Sequence, residues 1–204
     1  LLACVLTGCA SGTGGLSGEA RLHALIPQEA RATTPLQDLF TSERPLVLTL
    51  RADFDQLSKD REEESEERPA RLLLPGPGGD TLDLSLQVRT RGNFRLKKAT
   101  CTFPPLRLNF PQDSVAGTPF QGQDKLKLVT HCRGIDTYEQ NVVEELMAYR
   151  IYGLLTDVGY RAQLAFITYE GSSGRNRPVS RLAFLIEDDD HMAERLQGEI
   201  VEVE

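Results

Sequence analysis

The sequence has no surplus of basic residues: 23 Lys and Arg stand against 30 Asp and Glu, giving a formal net charge of -7 and a pI near 5.1. Clustered positive charge is what draws a protein to nucleic acid or to an anionic membrane surface, so no nucleic-acid partner is expected. No apolar run approaches the roughly 18–20 residues that span a bilayer, and the apolar stretch Leu1 to Leu6 is far too short. There is no internal repeat, no Gly-x-Ser-x-Gly element and no Cys/His nucleophile pattern. His23, His131 and His191 lie far apart without ligand spacing. The cluster Glu187-Asp188-Asp189-Asp190 has oxygen ligands suited to Mg or Ca, but it lacks the EF-hand spacing and its central glycine. No metal site and no catalytic residue is therefore assigned. What is present is ample apolar content: 40% of the 204 residues are hydrophobic, enough for the core of one domain or a domain and a half.

Leu1-Leu2-Ala3-Cys4-Val5-Leu6-Thr7-Gly8-Cys9 reads as the end of a signal peptide's apolar core followed by small residues. Leu6-Thr7-Gly8-Cys9 resembles the bacterial lipobox, which implies that Cys9 is acylated and becomes the amino terminus. The alternative is a buried apolar strand with two reduced cysteines. The run Ser11-Gly12-Thr13-Gly14-Gly15-Leu16-Ser17-Gly18 that follows is a flexible tether. Residues 1–8 are thus expected to be the truncated signal peptide and 9–35 a tether and lead-in. Ala10 stands where an Asp would retain a lipoprotein at the inner membrane. The expected location is export, with a lipid anchor on the periplasmic face of the outer membrane.

From residue 36 onward the pattern is that of an α+β domain. Leu46, Leu48 and Leu50 alternate with Val47, Thr49 and Arg51, and Leu82, Leu84, Leu86 and Val88 alternate with polar residues. Arg71 to Leu74 adds a short strand. The run from Lys59 to Arg68 is too charged to bury and reads as a solvated loop. Further strands are expected at Leu106 to Phe110 and Lys125 to Val129. Val142, Val143, Leu146, Met147, Ile151, Leu154 and Leu155 then fall at helical spacing, with Thr137 and Gln140 at capping-box spacing, predicting one long helix from about Tyr138 to Thr156. Leu164 to Thr168 and Arg181 to Glu187 form a hairpin, and Asp188 to Leu196 begins a short helix. The expected architecture is an antiparallel sheet with the long helix packed on one face.

Val88-Arg89-Thr90-Arg91-Gly92-Asn93-Phe94 resembles the Arg-Gly-Asn signature that ends a strand in the CotH-like atypical kinases. Pro105-Leu106-Arg107-Leu108-Asn109-Phe110, Leu146-Met147-Ala148-Tyr149-Arg150 and Ala183-Phe184-Leu185-Ile186-Glu187 resemble later elements of that family, in the same order. There are departures. Lys97-Lys98 sit earlier than the family's lysine pair, and Asn109 replaces a lysine. The family's metal-binding and catalytic acids lie beyond its Leu-Val-Glu segment, and no match to them precedes Glu204. The resemblance implies a kinase amino-terminal lobe over 36–204, incomplete at its carboxyl end. It also implies ATP and Mg as cofactors, and an exported protein as substrate of the complete protein. A noncatalytic surface or assembly module is the alternative.

Read chemically, a Gly-centred turn with Arg91, Gly92 and Asn93 offers a guanidinium and backbone N–H groups to a phosphate. It reads equally as a hairpin turn with Gly92 at positive φ. Lys127 points away from Leu126 and Leu128, on the face it shares with Lys125. A kinase-like site needs such a lysine to hold nucleotide phosphates, fixed by a helix glutamate. Glu145 is the candidate, with solvent exposure as its alternative. Lys127 and Glu145 are thus expected to pair, with Arg91 on the same side of the sheet. By resemblance Glu187 lies at a lobe hinge, where backbone groups meet adenine. Tyr149 and Tyr152 read as packing residues.

Cys101 and Cys132 remain once Cys4 is cleaved and Cys9 acylated. An exported domain holds such a pair in an oxidising compartment. Cys101 precedes the Leu106 strand and Cys132 follows the Lys125 strand, so antiparallel pairing of those strands would bring the two together. A disulfide is expected, with two separate thiols as the alternative.

Overall fold

The computed structural model describes residues 39–201. The signal-peptide segment, Cys9 and the 9–35 tether lie outside the described residues. In chain order the elements are β1 (Leu46–Ala52), α1 (Phe54–Leu57), β2 (Arg68–Pro75), β3 (Thr81–Thr90), β4 (Leu106–Asn109), β5 (Lys125–Val129), α2 (Asp136–Leu155), β6 (Ala162–Gly171), β7 (Val179–Glu187) and α3 (Asp189–Arg195).

The strands fall where the alternation places them, but the sheet does not stay open. The seven strands close into a barrel in the order β1-β2-β3-β4-β5-β7-β6. Six neighbouring pairs are antiparallel, and β1 closes the ring against β6 in parallel, Leu48 beside Ile167 and Leu50 beside Tyr169. A ring with an odd number of strands cannot alternate direction throughout, so closure requires at least one parallel pair. This overturns the expected antiparallel sheet with one long packed helix and its likeness to a kinase lobe. Closure leaves β1 and β6 without free edges.

Each strand contributes an inward row. Leu50, Leu72, Leu86, Leu108, Leu128 and Leu185 meet in one continuous core and are 2% exposed or less. A second apolar layer lies outside the barrel wall. Val129, Phe184 and Ile186 face outward from β5 and β7 and pack under Val142 and Leu146 of α2. That double coverage is why Ala183 to Glu187 is buried without alternation. The helix forms where the period predicts, but its expected apolar stripe is too wide. Val142 and Leu146 are buried, whereas Met147, Ile151, Leu154 and Leu155 are exposed. The single row meeting the wall cannot cover both sets. Ile135 caps α2 without a side-chain bond, so the expected capping box is not formed.

Cys101 and Cys132 are joined by a disulfide, with Cα atoms 4.7 Å apart. β4 and β5 are antiparallel neighbours, and a Phe103–Cys132 bridge extends their pairing to the cysteines. The charged run before β2 stays at the surface but is not simply solvated. Asp60 takes a 2.7 Å hydrogen bond from Arg68, and Arg61 donates to the carbonyls of Leu96, Cys101 and Thr102. The charged loop is thereby tied to the disulfide loop.

Candidate functional site

On the outer wall, where β3 ends and β5 and β7 pass beneath α2, there is an open cleft of about 430 Å³. Arg91, Gly92, Asn93, Lys127 and Glu145 all line it, as do Tyr149 and Tyr160. Five of the six residues singled out for a nucleotide site thus share one cavity, although they lie up to 54 positions apart in the chain. β-strand parity explains Lys127: its neighbours Leu126 and Leu128 fill the barrel, so its own side chain leaves through the wall.

The pairing inside the cleft differs from expectation. Lys127 donates to Asp189 rather than to Glu145, and its ammonium lies 4.4 Å from the centre of the Tyr160 ring. Tyr160 donates its hydroxyl to the same carboxylate, a bond that pushes its pKa up to about 12. Burial works to raise the Asp189 carboxyl, but hydrogen bonds from Lys127 and Tyr160 hold it below its ordinary value. Glu145 instead accepts from Arg95 at 2.6 Å. The reason is register: Lys127 sits beside Ile186, so the start of α3, three residues on, reaches it before the helix across the cleft does.

Arg91 stands apart. Its guanidinium is partly buried and has no carboxylate at ion-pair distance among the described residues. Burial pushes its pKa below the ordinary value, only partly offset by the charge of Asp189 nearby. An arginine does not lose its proton under such pressure, so the desolvated charge remains and an anion would relieve it. Gly92 has φ of 96°, the left-handed turn that lets the chain leave β3 toward the cleft rim. Arg91's own amide already donates to Pro105 at 3.0 Å, so the turn offers its guanidinium and not that N–H. Phe94, 67% exposed, stands at the rim as a flat apolar face.

Glu187 does not join the site. It does not line the cleft: its buried carboxylate is held at the barrel end by Arg161 and Arg195, at 2.8 Å each, and its backbone N–H donates to the Arg161 carbonyl at 3.0 Å. The acidic cluster dissolves into separate pairs: Asp188 with Arg107, Asp189 with Lys127 and Asp190 with Lys125. With those acids and Glu145 engaged by cations, the carboxylates near the cleft do not fit a magnesium site, whereas the Arg91 guanidinium does fit a phosphate. Tyr149 packs on Phe184 and also lines the cleft, while Tyr152 is exposed. Asp189 and Tyr160 were not legible as site residues. The acidic run around Asp189 points to a metal cation rather than to Lys127, and only the β5–β7 and β6–β7 registers bring Asp189 and Tyr160 to that lysine.

Among the described residues, no helix is long and apolar enough to cross a membrane. The chain matches no protein-family model, and no curated protein and no solved structure is significantly similar to it.

Proposed function

We propose that this barrel is the ligand-binding domain of an exported, lipid-anchored protein, and that it holds a phosphate-bearing small molecule, ATP being the candidate, in the cleft under α2. The observation that carries the reading is the desolvated Arg91 guanidinium, without a carboxylate partner, in the cavity that also receives Lys127. A phosphate there accepts charge-assisted hydrogen bonds from Arg91 and shares the Lys127 ammonium with Asp189. The exposed Phe94 ring at the rim suits an aromatic base. Magnesium, in this reading, arrives on the nucleotide's phosphates, because the cleft's carboxylates are already engaged by cations. Transfer of phosphate to an exported protein, which the CotH-like resemblance implies for the complete protein, is not assigned to any residue of this domain.

Calorimetric titration of the disulfide-bonded domain with ATP tests the reading. Saturable binding that weakens roughly tenfold or more in Arg91→Gln, and falls with added salt, is the expected result. Absent binding, or Arg91→Gln binding as tightly as the parent, would overturn it. Export is supported by the lipobox-like Leu6-Thr7-Gly8-Cys9 and by the disulfide, a bond characteristic of oxidising compartments. Cells expressing the chain with its native leader should label it with palmitate, and Cys9→Ser should remove the label. The second reading, a noncatalytic assembly module, is favoured by the exposed apolar residues Met147, Ile151, Leu154 and Leu155 on α2.

A further inference from the structure

α2 carries apolar residues on more than the side it packs. Val142 and Leu146 turn toward β5 and β7 and are buried there. Met147, Ile151 and Leu154 follow one another at spacings of four and three on a different side of the helix, with Leu155 beside them. Leu154 is 86% and Leu155 78% exposed, and Met147 and Ile151 are each more than half exposed. A helix that is apolar beyond its packed stripe is one with a second covering. Contiguous apolar surface of this kind marks a docking site rather than ordinary exposure.

The chain itself brings apolar residues within reach of this face. The described residues begin at Leu39, which is buried in the barrel core. Its neighbour Phe40 lines a hollow together with Arg150 and Gly153 of α2 and with Thr156 and Asp157 just after it. The chain therefore enters the barrel beside the last turns of α2. Upstream, Leu22, Leu25 and Ile26 stand at spacings of three and four, one apolar side of a helical turn, just before Pro27. The 14 steps from Ile26 to Phe40 reach at most about 45 Å, whereas the 20 residues of α2 span only about 30 Å. Every point on the exposed face is thus accessible to that segment.

We propose that residues 22–26 of the same chain dock on this face, with Leu22, Leu25 and Ile26 set against Met147, Ile151, Leu154 and Leu155. Tethering decides the occupant. A segment on a short linker is present at an effective concentration on the order of millimolar, which a second copy of the chain or any free apolar partner does not match. α2, which roofs the cleft, is then held on two sides, and its outer face is closed to other proteins until the segment leaves. Neither a nucleotide nor a lipid anchor is needed for this contact.

The test is photo-crosslinking of the full disulfide-bonded chain, with Cys9→Ser so that no acyl chain competes for the face and with benzoylphenylalanine in place of the exposed Leu154. Mass spectrometry should find the adduct within one chain, in the peptide that holds residues 22–26. Leu22→Ser/Leu25→Ser/Ile26→Ser should remove that adduct from a protein that still melts cooperatively. As a second measurement, in the chain with Leu154 intact, the triple-serine variant should raise anilinonaphthalene sulfonate fluorescence about twofold, because the apolar face is uncovered. Adding Leu154→Ser and Leu155→Ser should return it to the parent level, a reversal that unfolding would not give. Adducts joining two chains, adducts confined to other segments, no adduct, an adduct that survives the triple serine, or fluorescence that does not rise and reverse in this way would overturn the proposal.

Discussion

The Lys127 ammonium meets the Asp189 carboxylate, so the first residue of α3 neutralises the one lysine that β5 sends through the barrel wall into the cleft. Replacing Asp189 with Asn keeps a hydrogen-bonding group beside Tyr160 but removes the counter-charge. ATP should then bind about three- to tenfold more tightly, since Lys127 no longer divides its charge. Stability at neutral pH should fall by only about 1 kcal/mol, because Asp189 is more than a third exposed and solvent screens the pair. The folded-state pKa of Asp189 is depressed. Its contribution is therefore complete above the unfolded value of about 3.9 and is lost as pH falls through the folded value. Denaturant melts of parent and variant should differ at pH 7 and converge in strong acid.

Glu187 should be the more costly carboxylate to lose. It is wholly buried between Arg161 and Arg195, and its two arginines hold its pKa down against the opposing effect of burial. Glu187→Gln should destabilise the fold by about 3 kcal/mol, the scale for breaking a buried pair. Hydrogen exchange should show α3 loosening first, because Arg195 is its tie to the barrel end.

The Cys101–Cys132 bond closes a loop with a sequence separation of 31. Chain-entropy arguments put its contribution at about 3–4 kcal/mol. Cys101→Ala/Cys132→Ala should unfold at correspondingly lower denaturant, and thiol titration of the unfolded, unreduced parent should find neither sulfur free.

Closure of the barrel has its own signature. β1 pairs with β2 on one side and with β6 on the other. Consecutive amides from residues 49 to 51, where β1 has partners on both sides, should therefore all exchange slowly. In an open sheet with β1 at the edge, every second one would exchange with solvent in seconds to minutes. An alternating pattern across those three amides would contradict the parallel β1–β6 pair.

Much of this protein was legible as local pattern. Leu48 and Leu50, Leu106 and Leu108, and Leu126 and Leu128 repeat every second residue, and a period of two is sufficient to place strands. The spacing of Val142 and Leu146 placed the helix, and strand order with compartment placed the Cys101–Cys132 bond. Alternation also sent Lys127 outward, to the side where Arg91 and Glu145 were expected. What the pattern could not contain was which strands become neighbours across the ring. Periodicity states which face is buried and is silent on whether the sheet curls until its ends meet. Pairing Leu50 with Tyr169 is a contact across 119 residues, and only the joint packing of all seven inward rows selects it. The same long-range register set Ile186 beside Lys127, so that Asp189 and not Glu145 became its partner. It also gathered Phe54, Phe103, His131 and Tyr169, residues with no shared motif, around one cavity. Local spacing decided the elements and the direction each side chain leaves them. Tertiary closure decided the partners, because a counter-charge or a ring neighbour is chosen by distance in space, which sequence separation does not encode.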